Sequence, residues 1–274
     1  GLPRLLDRVL EREIRGGIAI DASRFEGPYF HPDWQPVSSR AYYAPTSAWS
    51  ANYSSFRIDV GPGARVGEPA QVRLAPALPY FRTLADAPTL RGGGKLGLEV
   101  DVLPDGTGES VRVTGSDSAN REPETFWRAV GLPERYAAAL LRAQLEAQGV
   151  SVGPQLRFEP VPADARELLR FAGEPIALQV RLLSKYSNNF VAEQLTKSLG
   201  ADRFGAPGSW EKGVRALAEH VASVGAASPG NVIADGSGLS PRNRVSSATL
   251  AALIRASARS FSYGPEFLAA LPLG

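Results

Sequence analysis

The spacing of apolar residues changes near Arg166, and this change constrains the fold more than any other feature of the sequence. Before Arg166, apolar residues alternate with polar ones in short runs, which is typical of half-buried strands. Such runs occupy residues 18–20, 56–60 and 96–102. The last run is followed by the turn sequence PDGTG and by another alternating pair, which predicts a β-hairpin. Residues 1–165 are therefore predicted to be β-rich, with one helix over residues 133–148.

After Arg166 the apolar residues recur at helical spacing. The pattern predicts a helix from Pro175, a second one that ends near Gly200, and two further helices whose N-caps are Ser209 and Ser246. The sequence thus predicts an α/β protein in two parts, residues 1–165 and residues 166–274.

The available residue types limit the chemistry of any site. The 274 residues include no cysteine and only two histidines, His31 and His220. This composition excludes disulfides, cysteine-ligated zinc, iron–sulfur clusters and multi-histidine metal sites, so no cofactor is expected. A nucleophilic serine would need a base other than histidine, and lysine is the natural candidate.

Charge and hydropathy narrow the class of partner. The formal net charge is +2 and no long basic run occurs, which argues against nucleic acid as a partner. No stretch approaches the roughly 18 apolar residues that cross a bilayer.

Because the chain has no methionine, we expect it to be a mature or cut chain, with any secretion signal upstream of Gly1.

A polar segment, Ser187-Asn188-Asn189, separates two of the predicted helices. Ser187 and Asn189 lie two residues apart and can direct a hydroxyl and an amide into one cleft, where the amide both donates and accepts. The alternative is that these residues only cap the following helix, which is the commoner role of Ser and Asn. The triplet alone leaves both interpretations open.

A second polar segment is the loop Asp235-Gly236-Ser237-Gly238, which we call the glycine loop, followed by Arg242. Its two glycines allow the backbone to approach a ligand closely, and an arginine can hold a carboxylate through two hydrogen bonds. The alternative is an ordinary polar loop before a capped helix.

Taken together, KYSNNFVAEQL and DGSGLSPRNRVS resemble segments of the penicillin-binding-protein-4-type D-alanyl-D-alanine carboxypeptidase/endopeptidases, the class C low-molecular-mass group. The resemblance extends to GGIAIDASRFEG, AYYAPTSAWSANYSS, RYAAALLRAQLEAQGV and RFGAPGSWEKG, and so covers nearly the whole chain. It implies that residues 1–165 are a β-rich inserted region, of one or two subdomains. Residues 166–274 would be part of a DD-peptidase/β-lactamase-like catalytic domain.

The resemblance also implies a serine peptidase with three motifs, SxxK, SxN and KTG. The SxxK serine attacks the carbonyl between two D-alanines of a peptidoglycan stem peptide, and the lysine of that motif takes its proton. The SxN motif maps onto Ser187, which would pass a proton to the leaving D-alanine, and Asn189, which would hold the substrate amide and the SxxK lysine. β-Lactams would acylate the same nucleophile, in the periplasm or at the outer cell surface.

The other two motifs are not where the resemblance requires them. KTG is absent, and the one SxxK string, Ser209-Trp210-Glu211-Lys212, follows the SxN motif. We therefore expect Ser209 to be a helix cap with Lys212 extending into water, and the nucleophile and KTG to lie outside this sequence. A rival interpretation is a non-catalytic peptidoglycan-binding homologue that has lost the nucleophile. A third, a carbohydrate-binding module with a helical tail, rests only on the strand content and on the tryptophans at positions 34, 49, 127 and 210.

Four residues are candidates for substrate binding by the same resemblance. Asp21 would meet the free amino group of the diamino acid of the peptide, with Phe25 as an apolar wall, although Asp21 also suits the turn at the end of a strand. Ser237 matches the family pattern directly. Arg242 would hold a carboxylate, but Pro241 occupies the position at which the family usually has this arginine.

Overall fold

The computed structural model describes residues 13–35, 37–91 and 97–272, and these residues form two compact units. The first unit contains the described residues up to Asp21, Val37–Pro45 and Trp49–Ala165. The second contains residues 22–35, Thr46–Ala48 and the described residues from Arg166 onward. The main division therefore coincides with the change in hydrophobic spacing. The identification of residues 1–165 as an inserted region and of residues 166–274 as part of a catalytic domain remains a prediction.

The first unit is built from twelve described strands and one helix. The strands are β1 Glu13–Ile14, β2 Ile18–Ile20, β3 Ser55–Gly61, β4 Gln71–Ala75, β5 Phe81–Asp86, β6 Thr89–Leu90, β7 Leu98–Asp105, β8 Gly108–Gly115, β9 Asp117–Ser118, β10 Glu124–Ala129, β11 Ser151–Val152 and β12 Leu156–Phe158. The helix α1 spans Pro133–Ala147, which confirms the prediction for this segment. Short 3-10 helices lie at Ala41–Tyr43 and Asn52–Ser54.

Two three-stranded sheets carry most of this unit. One is antiparallel, in the order β10-β3-β4, and the other is mixed, in the order β5-β8-β7. β7 and β8 form the predicted hairpin, which closes at Asp105 and Gly108 with Gly106 at a φ of 62°. Leu96, the first apolar residue of the predicted run, lies outside the described residues.

The remaining strands of the first unit form three parallel pairs. β1 pairs with β11, β2 with β12 and β6 with β9. Alternation explains the core, because Phe56, Ile58 and Val60 of β3 and Val111 and Val113 of β8 are all buried. Tyr136 of α1 packs into the same cluster.

The second unit is helical among its described residues. Its helices are α2 Ile176–Tyr186, α3 Asn189–Phe204, α4 Trp210–Ser223, α5 Ser247–Ala258 and α6 Gly264–Ala270. Ser209 caps α4 by accepting a hydrogen bond from the Lys212 amide, and Ser246 caps α5 through the Thr249 amide, as predicted. Strands and helices together confirm the α/β class.

The four tryptophans of the sequence differ in their exposure. Trp34 and Trp210 are buried in the second unit, whereas Trp49 and Trp127 are exposed in the first. In the parts of the chain that the structure describes, no helix is long and apolar enough to cross a membrane.

Candidate active site

The break between α2 and α3 holds the SxN residues. Ser187 ends α2 with φ 52° and ψ 51°, in the left-handed region that few residues other than glycine adopt. Asn188 is the N-cap of α3, because its Oδ1 accepts a hydrogen bond of 3.0 Å from the Val191 amide. Capping of α3 therefore does not require Ser187, which is exposed. The Ser187 amide donates to the Leu183 carbonyl oxygen, so the left-handed residue closes the C-terminus of α2.

Glu193 connects this break to the glycine loop. It lies one turn along α3 from Asn189, it is fully buried, and its carboxylate accepts a hydrogen bond of 2.8 Å from the Ser237 amide. The same carboxylate accepts hydrogen bonds from the Gly236 amide at 3.2 Å and from Trp210 Nε1 at 2.8 Å. Residues four apart share one helix face, so the glycine loop lies about one turn from the start of α3. The structure thus brings together the two segments that the sequence singles out.

The glycine loop has a second buried carboxylate at its start. Asp235 accepts hydrogen bonds from the amides of Gly238 at 2.7 Å and Ser240 at 2.6 Å, and from the side chains of Asn243 at 2.8 Å and Trp34 at 3.1 Å. These contacts hold Ser237 in a loop of defined shape. The sequence does not identify Asp235 or Glu193 as a buried anchor of the loop, because no local pattern marks a carboxylate that will be buried.

Gly236 shows why this loop contains glycine. A Cβ at this position would lie 2.0 Å from Thr196 Oγ1 and 2.9 Å from the Ala192 carbonyl oxygen. The missing side chain therefore lets the loop backbone pack on α3. The sequence interpretation, close approach to a ligand, differs from this observation at Gly236, where the close neighbour is a helix of the same unit.

Arg242 is engaged with a carboxylate of the same unit. Its Nε donates to Asp33 Oδ2 at 2.7 Å, and the hydroxyl of Ser240 donates to the same oxygen. Two hydrogen bonds hold the pKa of Asp33 below its ordinary value. The one from Arg242 has the larger effect and the one from Ser240 the next largest. An incoming carboxylate would have to share the guanidinium with Asp33, and the predicted role of Arg242 as a clamp remains a prediction.

Asp21 belongs to the first unit and Phe25 to the second. In the first unit, Asp21 Oδ2 accepts a hydrogen bond of 2.8 Å from the Val161 amide, a contact that fits the turn interpretation. In the second unit, Phe25 is half-buried and its backbone pairs with Gly208. Their proposed contacts with the substrate remain predictions.

The SxxK string at Ser209 lacks the geometry of an activated serine. Ser209 Oγ is buried and accepts the Lys212 amide at 3.2 Å. Lys212 Nζ donates to the carbonyl oxygens of Gly205 at 2.8 Å and Pro207 at 2.7 Å, so the amine does not extend into water as expected. The carbonyls that follow the C-terminus of α3 attract the cation. Ser209 is a helix cap, as predicted.

His31 is also committed to structure. Its Nε2 donates to the Ala234 carbonyl oxygen at 3.0 Å and its Nδ1 accepts from the Asp33 amide at 3.2 Å. Both ring nitrogens of His31 are therefore bonded to the backbone. Among the described residues, no group of three or more His, Asp or Glu side chains is placed to hold a metal ion.

Lys197 is the buried cation beneath this site. It lies one turn beyond Glu193 on α3, is fully buried, and donates to the carbonyl oxygens of Glu26 at 2.9 Å and Pro28 at 3.2 Å. Its Nζ is 3.7 Å from the centre of the Trp210 ring. Burial lowers the pKa of Lys197 from 10.5 to about 8, against the opposing effect of Glu193 and Glu26.

This pKa predicts that the second unit becomes more stable as the pH rises. Between about pH 8 and pH 10.5 the unfolded chain keeps the lysine proton while the folded chain loses it, so the free energy of unfolding increases as the pH rises. From pH 7.5 to 10 we expect the free energy of unfolding to increase by about 2 kcal/mol relative to Lys197→Met. Denaturant titrations of both proteins at each pH measure this difference. Parallel pH profiles would show that Lys197 is not the titrating group.

Comparisons with known proteins agree with the resemblance noted above. A family model described as the D-Ala-D-Ala carboxypeptidase 3 (S13) family matches residues 10–274. A D-alanyl-D-alanine carboxypeptidase of Actinomadura sp. (strain R39) is 34% identical over 273 residues, which is 96% of this chain and 50% of the relative. The carboxypeptidase DacB of Haemophilus influenzae is 20% identical over 251 residues, with 89% and 50% covered.

The fold is similar to that of penicillin binding protein 4 (dacB) from Haemophilus influenzae. One crystal structure of that protein aligns with a TM-score of 0.76 at 19% identity, over 93% of this chain and 56% of the other. A structure of its complex with a β-lactam aligns with a TM-score of 0.73 at 20% identity, over 99% and 59%. The chain spans about half the length of the curated relatives that it matches.

Proposed function

Because the chain belongs to the D-Ala-D-Ala carboxypeptidase 3 (S13) family, we propose that it is the SxN-bearing part of a serine D-alanyl-D-alanine carboxypeptidase/endopeptidase. The enzyme would remove the terminal D-alanine of peptidoglycan stem peptides, or cleave their D-alanyl cross-links, through an acyl-enzyme. It would act in the periplasm or at the outer cell surface. β-Lactams would acylate its nucleophilic serine.

The observation that carries this proposal is the link from the SxN break to the glycine loop through Glu193. Asn188 caps α3 and the backbone N–H of Ser187 closes the end of α2, so neither task uses the exposed Ser187 hydroxyl. Glu193 then fixes Ser237 about one turn from Asn189. These contacts support a rigid site in which the hydroxyls of Ser187 and Ser237 and the Asn189 amide act on one substrate.

In the proposed reaction the residues of this chain bind the substrate and move a proton. Ser187 Oγ would accept a proton from the lysine of the SxxK motif and donate a proton to the nitrogen of the leaving D-alanine. The Asn189 amide would donate to the substrate carbonyl and accept from the lysine. Ser237 would contact the peptide from the glycine loop.

The test of this proposal is covalent modification by benzylpenicillin, read by intact mass spectrometry. A polypeptide of these 274 residues is expected to form no adduct, because Ser209 is a cap and Lys212 is bonded to carbonyl oxygens. A longer protein that includes the SxxK and KTG segments should gain one penicilloyl group, at a serine upstream of Gly1.

Two results would contradict these expectations. An adduct on Ser209 would overturn the distinction between cap and nucleophile. The absence of an adduct on the longer protein would favour the non-catalytic peptidoglycan-binding homologue.

A further inference from the structure

A cavity of about 760 Å³ lies in the first unit, well apart in sequence from the SxN motif. Its walls are one face of α1, the turn of the β7–β8 hairpin, the segment from Pro79 to Arg82, and residues in and next to the β2–β12 pair. Ala138, Ala139 and Ala143 line the α1 side, and these small side chains leave the space open. The volume is within the range of sites that bind small molecules.

Three arginines line this cavity, and two of them have partners. Arg82 is 3.6 Å from the carboxylate of Asp105. Arg142 donates to the carbonyl oxygens of Val152 and Gly153 at 2.8 Å each, and it lies 3.9 Å from Glu146. The N–H groups of Arg142 are therefore committed to neighbouring protein groups, whereas the Arg82 side chain is 69% exposed and only its charge is offset, by Asp105.

Arg135 differs from the other two. Within the described ranges of the chain it makes neither an ion pair nor a hydrogen bond, although it is half-buried. Its guanidinium lies 5.0 Å from the centre of the Phe158 ring, which holds it in place without neutralising it. It also belongs to the first turn of α1, where the helix dipole adds positive potential.

Glu109, one of three carboxylates that line the cavity with Asp105 and Glu146, is bonded to other groups. It is 1% exposed, and its two oxygens accept hydrogen bonds from the Tyr80 hydroxyl at 2.9 Å and the Gly131 amide at 2.5 Å. A Cβ on Gly131 would be 3.0 Å from this carboxylate, so the close contact depends on glycine. Burial raises the pKa of Glu109, which further weakens it as a partner for Arg135. Glu109 therefore holds the backbone segment that precedes α1.

We propose that this cavity binds a small organic acid, whose carboxylate is held by Arg135 through two parallel hydrogen bonds and whose short apolar part packs on the alanine face of α1. A single uncommitted guanidinium matches one carboxylate in charge and shape. A phosphate dianion would need a second cation, and Arg82 and Arg142 each already lie within 4 Å of a carboxylate, 3.6 Å from Asp105 and 3.9 Å from Glu146. The site is separate from the proposed peptidase function and does not depend on it.

The test is isothermal titration of the 274-residue polypeptide with N-acetylalanine, with N-acetylalaninamide and inorganic phosphate as comparison probes. The acid should bind at least tenfold more tightly than the amide and than phosphate, because only the acid matches the guanidinium. Arg135→Gln should weaken binding of the acid at least tenfold. The control Arg57→Gln, which alters a surface ion pair with Asp59 in the same unit, should leave binding unchanged.

Three outcomes would overturn the proposal. These are equal binding of acid and amide, tighter binding of phosphate, and unchanged binding by Arg135→Gln. If Arg135→Gln fails to fold by circular dichroism, Arg135→Lys takes its place, since it keeps the charge and removes the planar fork. That variant should also bind the acid several-fold more weakly, and wild-type affinity in it would count against the proposal.

Discussion

Glu193→Ala is expected to lower the free energy of unfolding of the second unit by about 3 kcal/mol or more. The substitution leaves three donors without an acceptor, the buried Trp210 Nε1 and the amides of the half-buried residues Gly236 and Ser237. A donor left unsatisfied away from water costs about 1 to 3 kcal/mol. Denaturant unfolding followed by tryptophan fluorescence measures the change. Hydrogen exchange should also become faster at the two glycine-loop amides.

Two further variants make this prediction specific. Glu193→Gln keeps one acceptor oxygen but turns a donor toward other donors, so its loss should be smaller than that of the alanine variant. Glu211→Ala removes an exposed carboxylate from α4 and should change stability by less than about 0.5 kcal/mol. Similar losses for Glu193→Ala and Glu211→Ala would show that the buried network contributes little.

Ser187→Ala in a protein that also carries the SxxK and KTG segments is expected to reduce turnover by roughly 10²- to 10⁴-fold, the usual range for loss of a general acid–base group. The assay is release of D-alanine from a peptide that ends in D-alanyl-D-alanine. Stability should change little, because the exposed side chain of Ser187 is not the cap of α3.

Ser223→Ala is the matched control for this prediction, since it removes an exposed hydroxyl from the end of α4. It should leave both turnover and the unfolding temperature unchanged. If Ser187→Ala also keeps turnover within a few-fold of wild type, Ser187 has only a conformational role in the break between the helices.

Local patterns predicted the elements that depend on neighbouring residues. Alternation identified β3 and the β7–β8 hairpin, and the turn sequence placed the closure at Gly106. Cap chemistry placed the starts of α4 and α5 at Ser209 and Ser246. The helix α6 was not predicted, because its seven residues are too few to show a helical spacing of apolar residues.

Features that depend on contacts between residues far apart in the chain could not be predicted from the sequence. Residues 22–35 and 46–48 join the second unit although they precede the change in hydrophobic spacing, since a loop carries no local mark of the unit that it packs in. Burial of Glu193 and the close approach of Gly236 to α3 are set by tertiary packing. At the helix break, sequence alone did not decide which of three adjacent polar residues caps α3, because Ser and Asn are equally good caps.

The parallel pairing of β1 with β11 and of β2 with β12 has a consequence for synthesis of the chain. β1 and β2 leave the ribosome well before their partners, each of which is made more than a hundred residues later. Until then their backbone N–H and C=O groups are open to water and to other unpaired strands. Contacts so distant in sequence form slowly. Nascent chains stalled before Ser151 should therefore be more prone to aggregate and to be cut by proteases than chains released after Phe158.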